Sequence, residues 1–214
     1  DMGFAPDFVD ALGKVSIHLG SSDKIEMLAI AKSDKIHLIN DTESQRTDNA
    51  DIVFGNQTSV VAGITWKHFS ENAYTLLTLA NNYGKYQYFQ LKADQTPAFN
   101  DDSYENETSL GFDALVAISE ATNLSAGVKA KIILFRDRLN LQSVPWFLSL
   151  NKSVSDIERT VDTTATKLAA YVQISQTLGS FVINAGIRGD YFDLIGNGLV
   201  YSPRLWAIYH LSPI

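Results

Sequence analysis

The sequence predicts an all-β fold, an antiparallel up-and-down transmembrane β-barrel segment of about nine long strands. Three observations predict it. Apolar residues recur at every second position, which sends them to one face of a strand, whereas a helix repeats every ~3.6 residues. Tight turns alternate with long polar connections, as in outer-membrane barrels with short periplasmic turns and long extracellular loops. Aromatic residues gather where strands meet connections, as interfacial girdles do.

Each element rests on its own pattern. The clearest strand runs from Leu110 through Phe112, Ala114, Val116 and Ile118, with Gly111, Asp113 and Ser119 on the opposite face. Glu120 to Asn123 then turns the chain into Leu124, Ala126, Val128, Ala130, Ile132 and Leu134, which alternate with Ser125, Gly127, Lys129 and Lys131. Phe181, Ile183, Ala185 and Ile187 alternate with Asn184, Gly186, Arg188 and Asp190 further on, and Leu205, Ala207, Tyr209 and Leu211 alternate with Arg204 and His210. Weaker alternation occupies Val15 to Leu19, Ile25 to Ala31, Val60 to Trp66 and Leu168 to Ile174. The segment Ala73 to Phe89 has strand composition, but its lipid face is not readable, because its apolar residues fall on both faces. Strands of ~10 to 15 residues exceed the usual ~5 to 6 of soluble sheets.

The tight turns are Gly20 to Asp23, Ser70 to Asn72, Glu120 to Asn123 and Thr177 to Gly179. The expected long connections are Ile39 to Asn56, Gln90 to Glu105, Asp137 to Thr164 and Asp193 to Leu199. Structureless connections beyond ~12 to 15 residues are uncommon in compact domains, so their recurrence at one end favours a barrel over a soluble sandwich. Trp66 and Phe69 lie near a tight turn, and Tyr83, Tyr86, Tyr88, Phe89, Phe135, Tyr191, Phe192 and Tyr201 near the long connections.

Composition narrows the chemistry. The 214 residues carry 17 Lys+Arg against 24 Asp+Glu, a net charge of -7, and no Cys. A nucleic-acid partner needs a Lys/Arg-rich face, and an acidic chain with scattered basic residues does not supply one. Without Cys there is neither a disulfide framework nor a thiolate nucleophile or ligand. A 45% hydrophobic share suits a folded chain, and no apolar run approaches the ~18 residues of a membrane helix. No basic segment followed by an apolar stretch opens the chain at Asp1, so an export signal is expected to lie outside these residues.

The stretch Leu168-Ala-Ala-Tyr-Val-Gln173, a tight turn, and Val182-Ile-Asn-Ala-Gly-Ile-Arg-Gly-Asp-Tyr-Phe-Asp193 resemble a recurrent strand pair of TonB-dependent outer-membrane receptors. Tyr201-Ser-Pro-Arg-Leu205 and His210-Leu-Ser-Pro213 are similar to the next strand and its periplasmic turn, and Leu124-Ser-Ala-Gly-Val-Lys129 to another strand. These motifs cover about the last ninety residues. The resemblance implies a 22-stranded barrel whose lumen holds an N-terminal plug domain, a size class of outer-membrane transporter. It further implies import of a scarce nutrient, such as an iron chelate, cobalamin or glycan, driven through TonB. The whole chain, 1–214, is expected to be a partial barrel. It shows no recognisable plug or TonB-contacting segment, has only about nine strands, and reaches Ile214 just after a Ser-Pro turn. Its partners are then outer-membrane lipid, the TonB complex through the plug of the parent protein, and a small-molecule or oligosaccharide ligand at the extracellular loops. The alternative is a small self-contained or oligomeric outer-membrane barrel acting as adhesin, scaffold or passive pore, which would have to close on itself.

Candidate residues follow from the faces. If the even positions of the strands from Leu110 and Leu124 meet lipid, Asp113, Lys129 and Lys131 face the lumen, and Asn184, Arg188, Asp190, Arg204 and His210 do likewise. They either contact a ligand or plug, or form a solvated wall that pairs within itself, which the alternation of faces favours. Two acidic groups stand in expected loops: Asp41, Glu43, Asp48 and Asp51, then Asp101, Asp102, Glu105 and Glu107. Neither has the ordered Asp-x-Asp-x-Asp-Gly spacing of a calcium loop, so solvated surface is expected. Val144-Pro-Trp-Phe-Leu148 is an apolar patch within a polar connection, suited to a ligand, a partner or neighbouring loops. His18, His37, His68 and His210 are too dispersed for a zinc motif, and no Gly-x-Ser-x-Gly elbow is present. No catalytic residue, cofactor or metal site is assigned, and the chain is read as a non-enzyme.

Overall fold

The computed structural model describes residues 3–142 and 156–211. Nine strands follow one another: β1 (Phe4–Leu19), β2 (Asp23–Leu38), β3 (Phe54–Phe69), β4 (Ala73–Leu91), β5 (Pro97–Ser119), β6 (Thr122–Leu141), β7 (Ile157–Leu178), β8 (Phe181–Phe192) and β9 (Leu199–Tyr209). Among the described residues one helix occurs, α1 (Glu43–Ala50), between β2 and β3. The strands form one antiparallel sheet in chain order from β1 to β9, each bonded to its sequence neighbours. No helix among the described residues is long and apolar enough to cross a membrane, which says nothing of crossing by strands.

Register fixes the faces. Ile25, Trp66, Leu77, Phe112, Val128 and Ala170 lie directly across from one another on β2 to β7. The neighbouring row of the other face reads Lys24, Lys67, Leu76, Asp113, Gly127, Tyr171 and Arg188. The first row is the lipid side of the wall and the second the lumen side, because charge on the lipid face is costly near the midplane. From Leu124 to Leu134 the outward residues of β6 are all apolar. The roughly ten steps between Leu124 and Leu134, at about 3.3 Å each and tilted by about 40°, stand roughly 25 Å tall, the height of an outer-membrane apolar band.

A single sheet cannot bury both of its faces against itself. Among the described residues only Phe54, Ala98, Ile133 and Ala165 are buried apolar residues, whereas Leu110, Val128 and Ile132 stay more than half exposed, at 51%, 57% and 54%. Hydrocarbon takes the place of a second layer for such a face.

The β4 ambiguity resolves through pairing. Leu77 and Leu79 face outward opposite Trp66 and Ile64, and Leu76 and Ala80 face the lumen opposite Lys67 and Gly63. The aromatic residues divide similarly. By register Trp66, Tyr83, Phe89, Tyr191 and Tyr201 share the lipid face, while Tyr86, Tyr88, Phe135 and Phe192 share the lumen face and are not part of a lipid girdle.

Two connections differ from expectation. Gln90 to Glu105 is not a loop, because β4 and β5 run on as strands of 19 and 23 residues and meet in a short turn, residues 92–96. The strands between Asp137 and Thr164 likewise extend to Leu141 and from Ile157. Alternation of apolar and polar residues needs one apolar environment, and a strand that projects above the bilayer meets water on both sides. The opposite-end connections are tight, with Gly20 and Gly179 at φ of 74° and 60°, a conformation that costs glycine little. The patch Val144 to Leu148 and the Ser-Pro turn at 212–213 lie outside the described residues.

Candidate functional site on the lumen face

Seven of the eight residues expected to face the lumen lie on the lumen-side rows, and His210 follows the end of β9. Asp113, Gly127, Tyr171 and Arg188 make one rung across β5 to β8, and Gly111, Lys129, Ala169 and Asp190 make the next. Ser109, Lys131 and Lys167 make a third. Five of the eight, Asp113, Lys129, Lys131, Arg188 and Asp190, are thereby brought together. Asn184 and His210 lie apart from them, towards the tight-turn end, where the His210 amide donates to the Ser180 carbonyl at 2.8 Å, while Arg204 lines a cleft with Arg188 and Tyr171. Lys167 and Tyr171, which the sequence did not single out, belong to the group. Their signal is weak because the β7 alternation there is broken by Leu168, Ala169 and Ala170 in succession.

Most of the group is paired, as a solvated wall would be. Lys131 Nζ bonds Glu107 Oε1 at 2.6 Å. Arg188 forms a fork on Asp190, Nε to Oδ2 at 2.7 Å and Nη2 to Oδ1 at 2.6 Å, the geometry that suits guanidinium to carboxylate. Tyr171 donates its hydroxyl to Asp113 Oδ1 at 2.8 Å. Towards β1, Glu26 bonds both Lys24 and Lys67 at 2.7 Å.

The acidic groups do not converge. Asp101, Glu105 and Glu107 share the lumen face of β5, while Asp102 is on the other face with Lys85 Nζ at 3.7 Å. Asp41, Glu43, Asp48 and Asp51 surround α1, where Glu43 occupies the first turn, the end that favours a negative charge. No grouping of three or more His, Asp or Glu suited to a metal occurs among the described residues. In the turn between β4 and β5, the Asp94 carboxylate accepts from the Thr96 hydroxyl at 2.6 Å and its amide at 3.0 Å. Those bonds, the hydroxyl's first, hold Asp94 below its ordinary pKa.

Two histidines do meet carboxylates, His37 Nε2 with Asp7 Oδ2 at 2.6 Å and His68 Nδ1 with Asp23 Oδ1 at 2.9 Å. Both pairs lie on the lipid-side face, away from the lumen mouth. Ser22 donates to Asp23 Oδ2 at 2.8 Å, so its hydroxyl is directed to the acid and not to a base, unlike the nucleophile of a hydrolase triad.

No family model matches the chain, and no curated protein matches it in sequence. Among solved structures, 99% of the chain superposes on 34% of FpvA of P. aeruginosa, determined with bound heterologous pyoverdine and iron, at a TM-score of 0.71 and 11% identity. Similarly, 98% superposes on 34% of the ferric citrate transporter FecA in its unliganded form, at a TM-score of 0.57 and 12% identity. Both are TonB-dependent receptors. The fold is that of a TonB-dependent receptor barrel wall. The chain spans about a third of the length of either structure. Within that fold the sheet has its lipid row and its lumen row where the sequence alternation places them, and its polar group lies on the lumen row.

Proposed function

We propose that this chain is part of the barrel wall of an outer-membrane receptor that imports a scarce nutrient, an iron chelate, cobalamin or a glycan. The observation that carries the reading is the structural match of nearly the whole chain to one third of FpvA, a receptor determined with bound pyoverdine and iron. The two edges support it. β1 and β9 are the ends of the sheet and do not pair with each other, and unpaired N–H and C=O groups in hydrocarbon cost several kcal/mol each. Further strands of a larger barrel would satisfy them; a small self-closing barrel would need β1 to bond β9. The remaining parts of the proposal are capture of ligand at the extracellular connections, a plug outside these residues that TonB displaces, and residence in the bacterial outer membrane.

The test is the intact mass of the native protein carrying these peptides, taken from purified outer membranes of the source cells. A mass several times 23.6 kDa is expected. A mass near that value, or absence from the membrane fraction, overturns the reading.

A further inference from the structure

Several acids of the lumen face meet a donor. Glu107 bonds Lys131, Asp113 accepts from Tyr171, and Asp190 holds the fork of Arg188. Asp101 of β5 and Asp137 of β6 instead meet each other. Asp101 is directly opposite Leu139 and Asp137 directly opposite Ser103, so the two carboxyls are diagonal neighbours on one face of the β5–β6 ladder. Both lie beyond Leu134, the last outward apolar residue of β6, in the part of the wall that projects above the bilayer.

Two carboxylates held side by side and partly out of water oppose each other's ionisation. Asp101 Oδ1 is buried and, among the described residues, has no hydrogen-bond partner. The Asp137 side chain is only 16% exposed, and the cation that faces it, Arg159 of β7, stands with Nη2 3.9 Å from Asp137 Oδ2 and is itself 65% exposed. An ion pair so open to water is weak. On β4 the residue opposite Asp101 is Tyr88, and on β5 Glu105 follows on the same face and adds negative charge. The remaining charges are on the outer face, where Asp102 is opposite Arg138 and 3.7 Å from Lys85, and Arg136 is held by Asp162. Burial, and after it the hydrogen bond shared with the Asp137 carboxyl, raise Asp101 above the ordinary aspartate value, with the Asp137 and Asp102 charges acting the same way.

We propose that Asp101 and Asp137 form an acid-closed clasp between β5 and β6 at the barrel mouth, which holds one proton between the two carboxyls and loosens that end of the ladder when the proton is lost. With the proton in place one carboxyl donates to the other and joins the strands where water lies on both sides of the sheet. Without it the two anions repel at the same point. The folded value lies above the unfolded one, so the stabilisation is complete below the unfolded aspartate pKa and is lost as pH rises through the raised value. Asp94 in the β4–β5 turn acts with the opposite sign, because its pKa is depressed, and the two are thereby distinguishable. The rim at β5–β6 is stiffer in acid than at neutral pH, whatever the barrel imports.

The test is backbone hydrogen exchange of the whole native protein in detergent, read by mass spectrometry at about pH 4 and about pH 7.5 and corrected for the intrinsic exchange rate. Peptides covering residues 97–105 and 135–142 are expected to be several-fold better protected in acid, and those covering 110–116 and 124–130 to be unchanged. Asp101→Asn puts an amide donor where the shared proton was and is expected to show acid-level protection at both pH values. Asp102→Asn, on the outer face, is expected to keep the pH dependence. Should Asp101→Asn fail to fold, Asp137→Asn removes the same pair and is expected to abolish the pH dependence. Protection that does not vary with pH in the parent, or that is greater at neutral pH, overturns the proposal, as does a pH dependence that survives in Asp101→Asn or Asp137→Asn. Calcium that raises protection at neutral pH to the acid level would assign the pair to a metal ion and overturns the proton clasp.

Discussion

Tyr171 reaches across Gly127 to donate its hydroxyl to Asp113 at 2.8 Å, joining β7 to β5 over the strand between them. The bridge depends on the missing side chain, because a Cβ at position 127 would collide with both the Asp113 carboxylate and the Tyr171 ring. Gly127 thus lets the two side chains approach each other, and the tyrosine ring covers the backbone that glycine leaves bare.

Gly127→Ala is expected to destabilise the barrel by about 1–3 kcal/mol through overpacking. Tyr171→Phe keeps the ring over Gly127 and loses only the hydroxyl, for about 0.5–1.5 kcal/mol. Urea unfolding of the full protein in liposomes orders the two. A larger loss for Tyr171→Phe than for Gly127→Ala would refute the covering role.

Alternation along β6 can be read directly, since the chain has no Cys to interfere. Single cysteines replacing Val128, Ala130 and Ile132 should resist a charged maleimide in intact membranes, whereas those replacing Lys129 and Lys131 should react. Val128→Arg, near the middle of the apolar band, is expected to cost about 2–4 kcal/mol, and Ser125→Arg on the lumen side much less. Equal labelling of both sets would show that the faces are misassigned.

The helix α1 is tied to the wall by two buried side chains, Asn49 and Gln90 of β4, whose amide donates to the Ala50 carbonyl. Asn49, 4% exposed, donates from Nδ2 to the Gly3 carbonyl and to Asn40 Oδ1, both at 2.7 Å, and to the Ile39 carbonyl at 3.3 Å. Asn49→Ala should raise hydrogen exchange across residues 39–53 and leave the strands protected. Thr42→Ala removes the capping box with Gln45 and should cost the helix about 1 kcal/mol. Exchange unchanged in both variants would mean that the helix is held by other contacts.

Asp94 supplies a pH-dependent contribution of small size. Its pKa is depressed, chiefly by the Thr96 hydroxyl, so the stabilisation is present above the unfolded carboxylate pKa and is lost as pH falls through the lower folded value. Thr96→Ala should move the Asp94 titration up towards an ordinary aspartate, observable by NMR of the labelled protein. An unmoved titration would assign the shift to other groups.

The strands were legible wherever one face met lipid and the other water. Leu124 to Leu134 announces both faces because every second side chain is apolar. The signal fails above the bilayer, so the acidic stretch from Asp101 to Glu107 reads as a loop although it continues β5. It fails in β4 for the opposite reason, since Leu76 and Leu77 are both apolar yet face opposite ways. The helix α1 escapes notice because all of its eight residues but Ala50 are polar and it is too short for a period of 3.6 to show. Of the lumen group, the charged members were readable by alternation, but the apposition of Lys131 and Lys167 depends on register across a long connection, which one strand's pattern does not encode.

Strand order that copies chain order also bears on assembly. Each new strand needs only the one synthesised before it as its template, so the wall can be added to hairpin by hairpin, like a zip closing from one end. Such growth requires no distant part of the chain to search for its partner, which keeps the entropy of loop closure low at every step. Until the last strand is in place the advancing edge stays adhesive, and the machinery that inserts the barrel must shield that edge from other chains as it moves.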